Sequence, residues 1–235
     1  YAKVAKAVSE NVDPQQDIFF SQGPMDVLDH SCSKFAFGGK MCVDATRKFE
    51  EELRSANVEM RSKNLNVEVS GLKLTSQFAE IKGTNTSLLE KGISIVFISV
   101  EKNRPGHIRE LNEKLFALPE FNQVKFIVYV EHTVDANDIK DAVWRWSNNL
   151  DPRRDSYVIP AKSDQEVSHI GFDGTRKTKE FDNFDRDWPN IICADEKTIV
   201  AIDAKWNSLG LGELITSPSV KYRGQLYKGG AVVKE

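Results

Sequence analysis

Ile93-Ser94-Ile95-Val96-Phe97-Ile98-Ser99-Val100 is the stretch that decides the fold. It is short and rich in β-branched residues, the pattern of a strand buried on both faces of a parallel sheet. Pro105 follows where a first helical turn would begin. Ile108, Leu111, Leu115 and Leu118 give that helix an apolar stripe, and Pro119 stops it. Val124 to Val130 (VKFIVYV) repeats the strand pattern. Asn137 is the expected N-cap of a second helix, with Ile139, Ala142, Val143, Trp146 and Leu150 on its core face. Asp151-Pro152 ends it, and Ser156 to Ile159 is read as a third strand. Two βαβ crossovers in succession predict right-handed connections and a parallel sheet.

Working backward, the second half of this unit recurs upstream. Asn11-Val12-Asp13-Pro14-Gln15-Gln16-Asp17 matches Asn149-Leu150-Asp151-Pro152-Arg153-Arg154-Asp155 at an offset of 138. Asp44-Ala45-Thr46-Arg47-Lys48 matches Asp173-Gly174-Thr175-Arg176-Lys177 at an offset of 129. The helical stripe also carries over, to Tyr1, Val4, Ala5, Val8 and Val12. The expected organisation is a partial first copy of the α/β unit over 1–60, truncated at its front. A connecting segment follows over 61–90, a complete second copy over 91–210, and an extended tail over 211–235. Val67-Glu68-Val69 and Leu72-Lys73-Leu74 alternate around Gly71 as a hairpin would. Asp195 is the expected cap of a C-terminal helix bearing Ile199, Ile202, Trp206 and Leu209, stopped by Gly210. Val220 to Tyr227 is read as a hairpin or extended arm suited to a neighbouring subunit.

Composition narrows the function classes. The 235 residues carry a formal charge of −3, with no basic field for nucleic acid. No run reaches the ~20 apolar residues of a membrane helix. The chain opens on Tyr-Ala-Lys, so a fragment of a longer polypeptide is expected. Cys32, Cys42 and Cys193 are odd in number and widely spaced, which predicts reduced thiols and a cytoplasmic protein. His30, Cys32 and Cys42 fit no common zinc spacing, so no metal site is expected.

Several segments, in order, resemble the C-terminal α/β domain of UbiD-type carboxy-lyases. They are VFISVEKNRPGH at 96–107, KFIVYV at 125–130, VDANDIKDAVWRW at 134–146, NLDPRRD at 149–155, IGFDGTRK at 170–177 and Trp188-Pro189. The resemblance implies a parent enzyme that decarboxylates an aromatic or α,β-unsaturated acid, commonly a quinone precursor such as a polyprenyl-hydroxybenzoate. The family uses prenylated flavin mononucleotide with a divalent metal and a monovalent cation, held in a preceding N-terminal domain. No segment here matches that flavin-binding domain or its Glu-Arg-Glu group. The expectation is therefore a fragment that binds no cofactor itself and carries no catalytic residue. Its expected partners are the N-terminal domain of the same chain and further copies in a homo-oligomer.

Two residue groups remain as candidates for chemistry. Lys102, Arg104 and His107 lie between a strand and a helix, where open α/β sheets bind ligands and helix starts favour anions. They support an alternative reading, a flavodoxin-like small-ligand or anion-binding domain using the 102–107 loop. The competing reading is a tight turn, with Pro105 fixing φ and Gly106 allowing close packing. No Gly-x-Gly-x-x-Gly fingerprint accompanies it. Asp44, Arg47 and Lys48, with Asp173, Arg176 and Lys177, form an acid and two bases per copy. A substrate clamp is one reading and a structural ion pair closing the sheet edge is the other. Asp17 and Asp155 are expected to accept backbone hydrogen bonds after the helix stop. Arg153 and Arg154 have Gln15 and Gln16 as counterparts, which argues against a shared binding role. Trp144, off the core stripe, is the candidate interface residue.

Overall fold

The computed structural model describes residues 1–62 and 73–231. They form two compact units, Tyr1–Asp185 and Arg186–Glu235. The elements of the first are α1 (Ala2–Asn11), β1 (Ile18–Pro24), β2 (Phe37–Val43), α2 (Ser55–Ser62), α3 (Leu74–Gln77), β3 (Ile81–Asn85), β4 (Ile95–Val100), α4 (His107–Phe116), β5 (Phe126–Glu131), α5 (Ile139–Asn149), β6 (Ser156–Ile159), β7 (His169–Asp173) and α6 (Lys179–Asp182).

The α/β class and both crossovers are present, and the sheet is mixed rather than parallel. Its order is β3-β4-β5-β7-β6. The inner strands β4, β5 and β7 are parallel, while β3 and β6 run antiparallel on the two edges. The third parallel strand is therefore β7, not Ser156–Ile159, which turns back along it as a hairpin partner. Edge strands need no continuous apolar run, so neither β3 nor the role of β6 stood out in the sequence. The hairpin read over 67–74 falls largely outside the described residues, and Leu74 opens α3 instead.

Alternation along the inner strands splits the core in two. Val96, Ile98, Val100, Ile127 and Tyr129 face α4 and pack with Ile108, Leu111 and Leu115. Phe97, Phe126, Val128, Val130, Ile170 and Phe172 face the other way, toward Ala142 of α5. Val12 and Ile18 of the first copy join that second layer, with Val8, Phe20 and Met41 packed at its margin. Tyr1 and Val4, by contrast, are exposed, so only the C-terminal half of the α1 stripe meets core. In α5, Val143 is also exposed. The cap of α5 is Asp138, one residue past the expected Asn137, and its side chain accepts from the Asp141 amide.

The second unit holds α7 (Glu196–Lys205), capped as expected by Asp195, whose carboxylate accepts the Thr198 amide at 2.7 Å. Gly210 takes φ 66° after the helix. The tail is not an extended arm. It forms a short helix, α8 (Ser219–Tyr222), and a 3-10 turn at Arg223–Gln225. Asn190 draws the segment beyond it back, donating to the Gly229 carbonyl at 3.1 Å, while the Tyr227 hydroxyl donates to the Trp188 carbonyl at 3.0 Å.

Candidate functional site

The loop between β4 and α4 carries the three bases expected of an anion site, and they do not converge. Lys102 is drawn inward: its Nζ donates to the Arg176 carbonyl at 2.8 Å and to Asp182 Oδ1 and Oδ2 at 2.7 and 2.8 Å. Only 5% of its side chain is exposed. Arg104 lies over Glu110, with Nη2 2.6 Å from Oε2, and holds that carboxyl below its usual range. His107 is buried; its Nδ1 accepts from the Asn103 amide and its Nε2 lies 3.2 Å from Glu80 Oε1. Each base already faces a carboxylate, so no surplus positive field is left at the loop. Gly106 has φ 70° and nothing within 4 Å of a Cβ position. It serves the left-handed turn rather than close packing.

The paired Asp/Arg/Lys motifs share one wiring. In the second copy the Asp151 amide donates to Asp155 Oδ2 at 2.9 Å, and the Asp173 amide to the Asp155 carbonyl at 2.8 Å. Asp173 Oδ1 accepts the Thr175 amide and hydroxyl at 3.0 and 2.5 Å. Lys177 Nζ sits 3.6 Å from Asp155 and 3.2 Å from Asp173. The first copy repeats each bond. Asp13 donates to Asp17 Oδ2 at 2.7 Å, Asp44 to the Asp17 carbonyl at 2.9 Å, and Thr46 to Asp44 Oδ1 at 2.9 and 2.6 Å. Lys48 Nζ is 2.9 Å from both Asp17 and Asp44. The strand registers agree as well: Ile18 pairs with Val43, and their counterparts Ser156 and Phe172 pair with each other. The arrangement is an Asx-type turn closed by an ion pair at a strand end. Arg47 is exposed, whereas the Arg176 amide donates to Glu131 at 3.0 Å.

Electrostatics separates the two. Burial pushes the Asp155 carboxyl up, against the pull of Lys177 and Arg154. Burial also opposes ionisation of Asp173, but Lys177, Lys102 and the Thr175 bonds outweigh it and hold that carboxyl low. Asp44 is open to solvent, and its bonds from Thr46 and Lys48 hold it well below the carboxylate range. Arg154 forks onto Asp155 with two bonds of 2.7 Å and donates to the Ser31 carbonyl at 2.8 Å.

Three residues that join the copies escaped the sequence reading. Ser168 donates to Asp13 Oδ1 at 2.5 Å, and the Gly39 amide donates to Asp151 Oδ2 at 3.1 Å. Positions 39 and 168 are counterparts at the offset of 129, and 13 and 151 at the offset of 138, so each copy grips the aspartate of the other. Lys125, 1% exposed, donates to the Ser9 and Val12 carbonyls at 2.9 Å each and satisfies the end of α1. A lone Lys in an apolar run and a Gly-Gly pair inside a strand were the available signals.

The 3-octaprenyl-4-hydroxybenzoate carboxy-lyase C-terminal domain family matches residues 1–45 and 65–177, well over half of the chain. The chain belongs to that family. Among curated relatives, an uncharacterized protein of Aquifex aeolicus is 31% identical over 124 residues, 49% of this chain and 25% of the relative. One from Aeropyrum pernix is 29% identical over 127 residues, 50% of this chain and 26% of the relative. The chain thus spans about a quarter of the length of the curated relatives it matches. Among solved structures, the closed form of vanillic acid decarboxylase from Sedimentibacter hydroxybenzoicus is similar at TM-score 0.47 and 14% identity, over 60% of this chain and 31% of that one. An evolved dimeric form of the UbiD-class enzyme HmfF from Pelotomaculum thermopropionicum, in complex with prFMN, is similar at TM-score 0.38 and 20% identity, over 49% and 24%.

In this UbiD C-terminal domain the residues present do not fit a flavin phosphate. The basic groups of the 102–107 loop are neutralised by Asp182, Glu110 and Glu80. A cavity of about 430 Å³ is lined by Asp17, Asp44, Glu51 and Glu52 of the first copy and Asp164 of the second, against Lys48 and Arg54. Its acidic surplus repels an anion. Among the described residues, no group of three or more His, Cys, Asp and Glu could hold a metal ion, and no helix is long and apolar enough to cross a membrane.

Proposed function

We propose that this chain is the assembly and interdomain part of a UbiD-like aromatic-acid decarboxylase and is itself non-catalytic. The parent reaction is non-oxidative decarboxylation of a hydroxybenzoate-like quinone precursor in the cytoplasm. Prenylated FMN, a divalent metal and a monovalent cation belong to a preceding N-terminal domain of the same polypeptide, which works as a homo-oligomer. The two Asp-Pro units are read as a duplicated domain, the first copy incomplete at its front.

The observation that carries this reading is the internal neutralisation of the three bases of the 102–107 loop, Lys102, Arg104 and His107, by Asp182, Glu110 and Glu80. Lys102, the best placed of them, is spent on Asp182 and a backbone carbonyl. An ion pair so buried is costly to open for a ligand. The same observation speaks against the small-ligand alternative at the 102–107 loop. The test is to incubate the purified chain with prenylated FMN, Mn²⁺, K⁺ and hydroxybenzoates. No turnover and no retained flavin colour are expected; either one overturns the reading.

A further inference from the structure

The second copy shows what the first lacks. On one side β7 pairs with β6, and on the other with β5: the Ile170 amide donates to the Lys125 carbonyl at 2.8 Å and the Gly174 amide to the Tyr129 carbonyl at 2.9 Å. Strand β2 is the counterpart of β7. Among the described residues it pairs with β1 alone, in a two-stranded sheet. The Asp44 amide points to β1, so by alternation Met41, Val43 and Ala45 point their amides to the other edge. Met41 and Ala45 are the counterparts of Ile170 and Gly174. Just before them the Gly39 amide is already taken by Asp151. The open stretch therefore begins where the second copy begins its parallel pairing, and Cys42, Val43 and Ala45 lie exposed along it.

The cavity beside this edge has a counterpart too. Thr178 donates its amide to Asp182 at 2.8 Å, and Phe49, its counterpart, donates to Glu52 at 2.8 Å. Glu52 thus stands in for Asp182. Asp182 is neutralised by Lys102, which reaches it from the end of β4. Among the described residues Glu52 has no such lysine: Lys48 is committed to Asp17 and Asp44, and Arg54 to Asp13 and Gln15. An unpaired strand edge and an acidic cavity lie together where the second copy has β5 and Lys102.

We infer that a segment of the same polypeptide ahead of Tyr1 adds a parallel strand to β2 at Met41–Ala45 and seats a Lys in the cavity beside Glu52. The curated relatives, about four times as long as the region they share with this chain, leave room for such a segment. The inference rests on the recurrence of hydrogen bonds and not on decarboxylase chemistry, so an activity assay does not bear on it.

Amide hydrogen exchange on the longer natural polypeptide and on residues 1–235 tests the strand. Exchange at Met41, Val43 and Ala45 is expected to slow by roughly tenfold or more in the longer polypeptide alone. Equal exchange in both, fast or slow, overturns the inference. So does protection in 1–235 that rises with concentration, which would make a second copy the occupant. Carbodiimide coupling of a mixture of isotopically light and heavy longer polypeptide tests the cation. A link from Glu52 to a lysine ahead of Tyr1 within one chain supports it. Links only between light and heavy chains, or only to lysines after Tyr1, overturn it.

Discussion

Lys177 and Lys48 occupy matching places in the same hydrogen-bond pattern, and their surroundings differ. Lys177, Asp155 and Asp173 are each no more than 3% exposed at the side chain, whereas Asp44 beside Lys48 is 45% exposed. In the second copy α6, Lys102 and the Arg154 guanidinium roof the turn; in the first, the matching space is an open acidic cavity. Identical wiring therefore does not imply identical energetics. The covering layer decides whether water can replace a lost partner.

Removing each lysine in turn separates the wiring from its cover. Lys177→Met leaves two buried carboxylates facing each other and is expected to cost about 3–5 kcal/mol in urea unfolding. Lys48→Met is expected to cost about 1 kcal/mol, because Asp44 regains water. Equal costs would mean that the wiring, and not its cover, sets stability.

The reciprocal grips allow a second comparison. A Cβ at Gly39 would collide with Asp151 and the Arg153 amide, so Gly39→Ala is expected to cost about 2–3 kcal/mol. Its counterpart Ser168→Ala loses a hydrogen bond to a carboxylate and is expected to cost about 1.5–2 kcal/mol by thermal unfolding. Asp13 adds a pH dependence. Burial raises its pKa, but the bonds from Ser168, Gln15 and Asn57 and the Arg54 guanidinium outweigh that and leave it lowered. A lowered folded pKa means stability present above the unfolded value of about 3.9 and lost as pH falls through the folded value. Asp13→Asn is expected to lower the melting temperature at pH 7 and to match the parent once Asp13 is protonated in both the folded and the unfolded state. Parallel melting curves from pH 7 to 2 would refute the assignment. The smallest effect is expected at Trp144, half exposed with Arg145 stacked 4.8 Å from its ring. Trp144→Ala is expected to change stability of the isolated chain by less than about 0.5 kcal/mol.

What was legible in the sequence follows burial. Strands β4 and β5, covered on both faces, are continuous apolar runs and stood out. Helices α4 and α5 stood out by their stripes and their prolines. Strands β3 and β6 sit at edges, where one side meets solvent or a loop, and Ile81–Asn85 carries only one strongly apolar residue. The tail misled because Val220 and Tyr222 alternate with Lys221 and Arg223 as in a strand, yet both sit in the α8 turn, and Tyr227 bonds to Asn190 and Trp188 far back in the chain. At the candidate site the residue types were visible, but their partners were not. Asp182 lies 80 positions from Lys102, and only the fold shows that the lysine is already spent.

The mutual grip of Asp13 by Ser168 has a consequence for synthesis. The two residues are 155 positions apart, so on a ribosome adding 5–20 residues per second the first waits roughly ten to thirty seconds for the second. During that interval Asp13 has only its nearer partners, Gln15, Asp17, Arg54 and Asn57, and the apolar flank of Val12 and Ile18 waits for the β5 and β7 side chains that cover it. A chaperone that holds nascent chains by such segments would find its client here, early and near the amino end of this region.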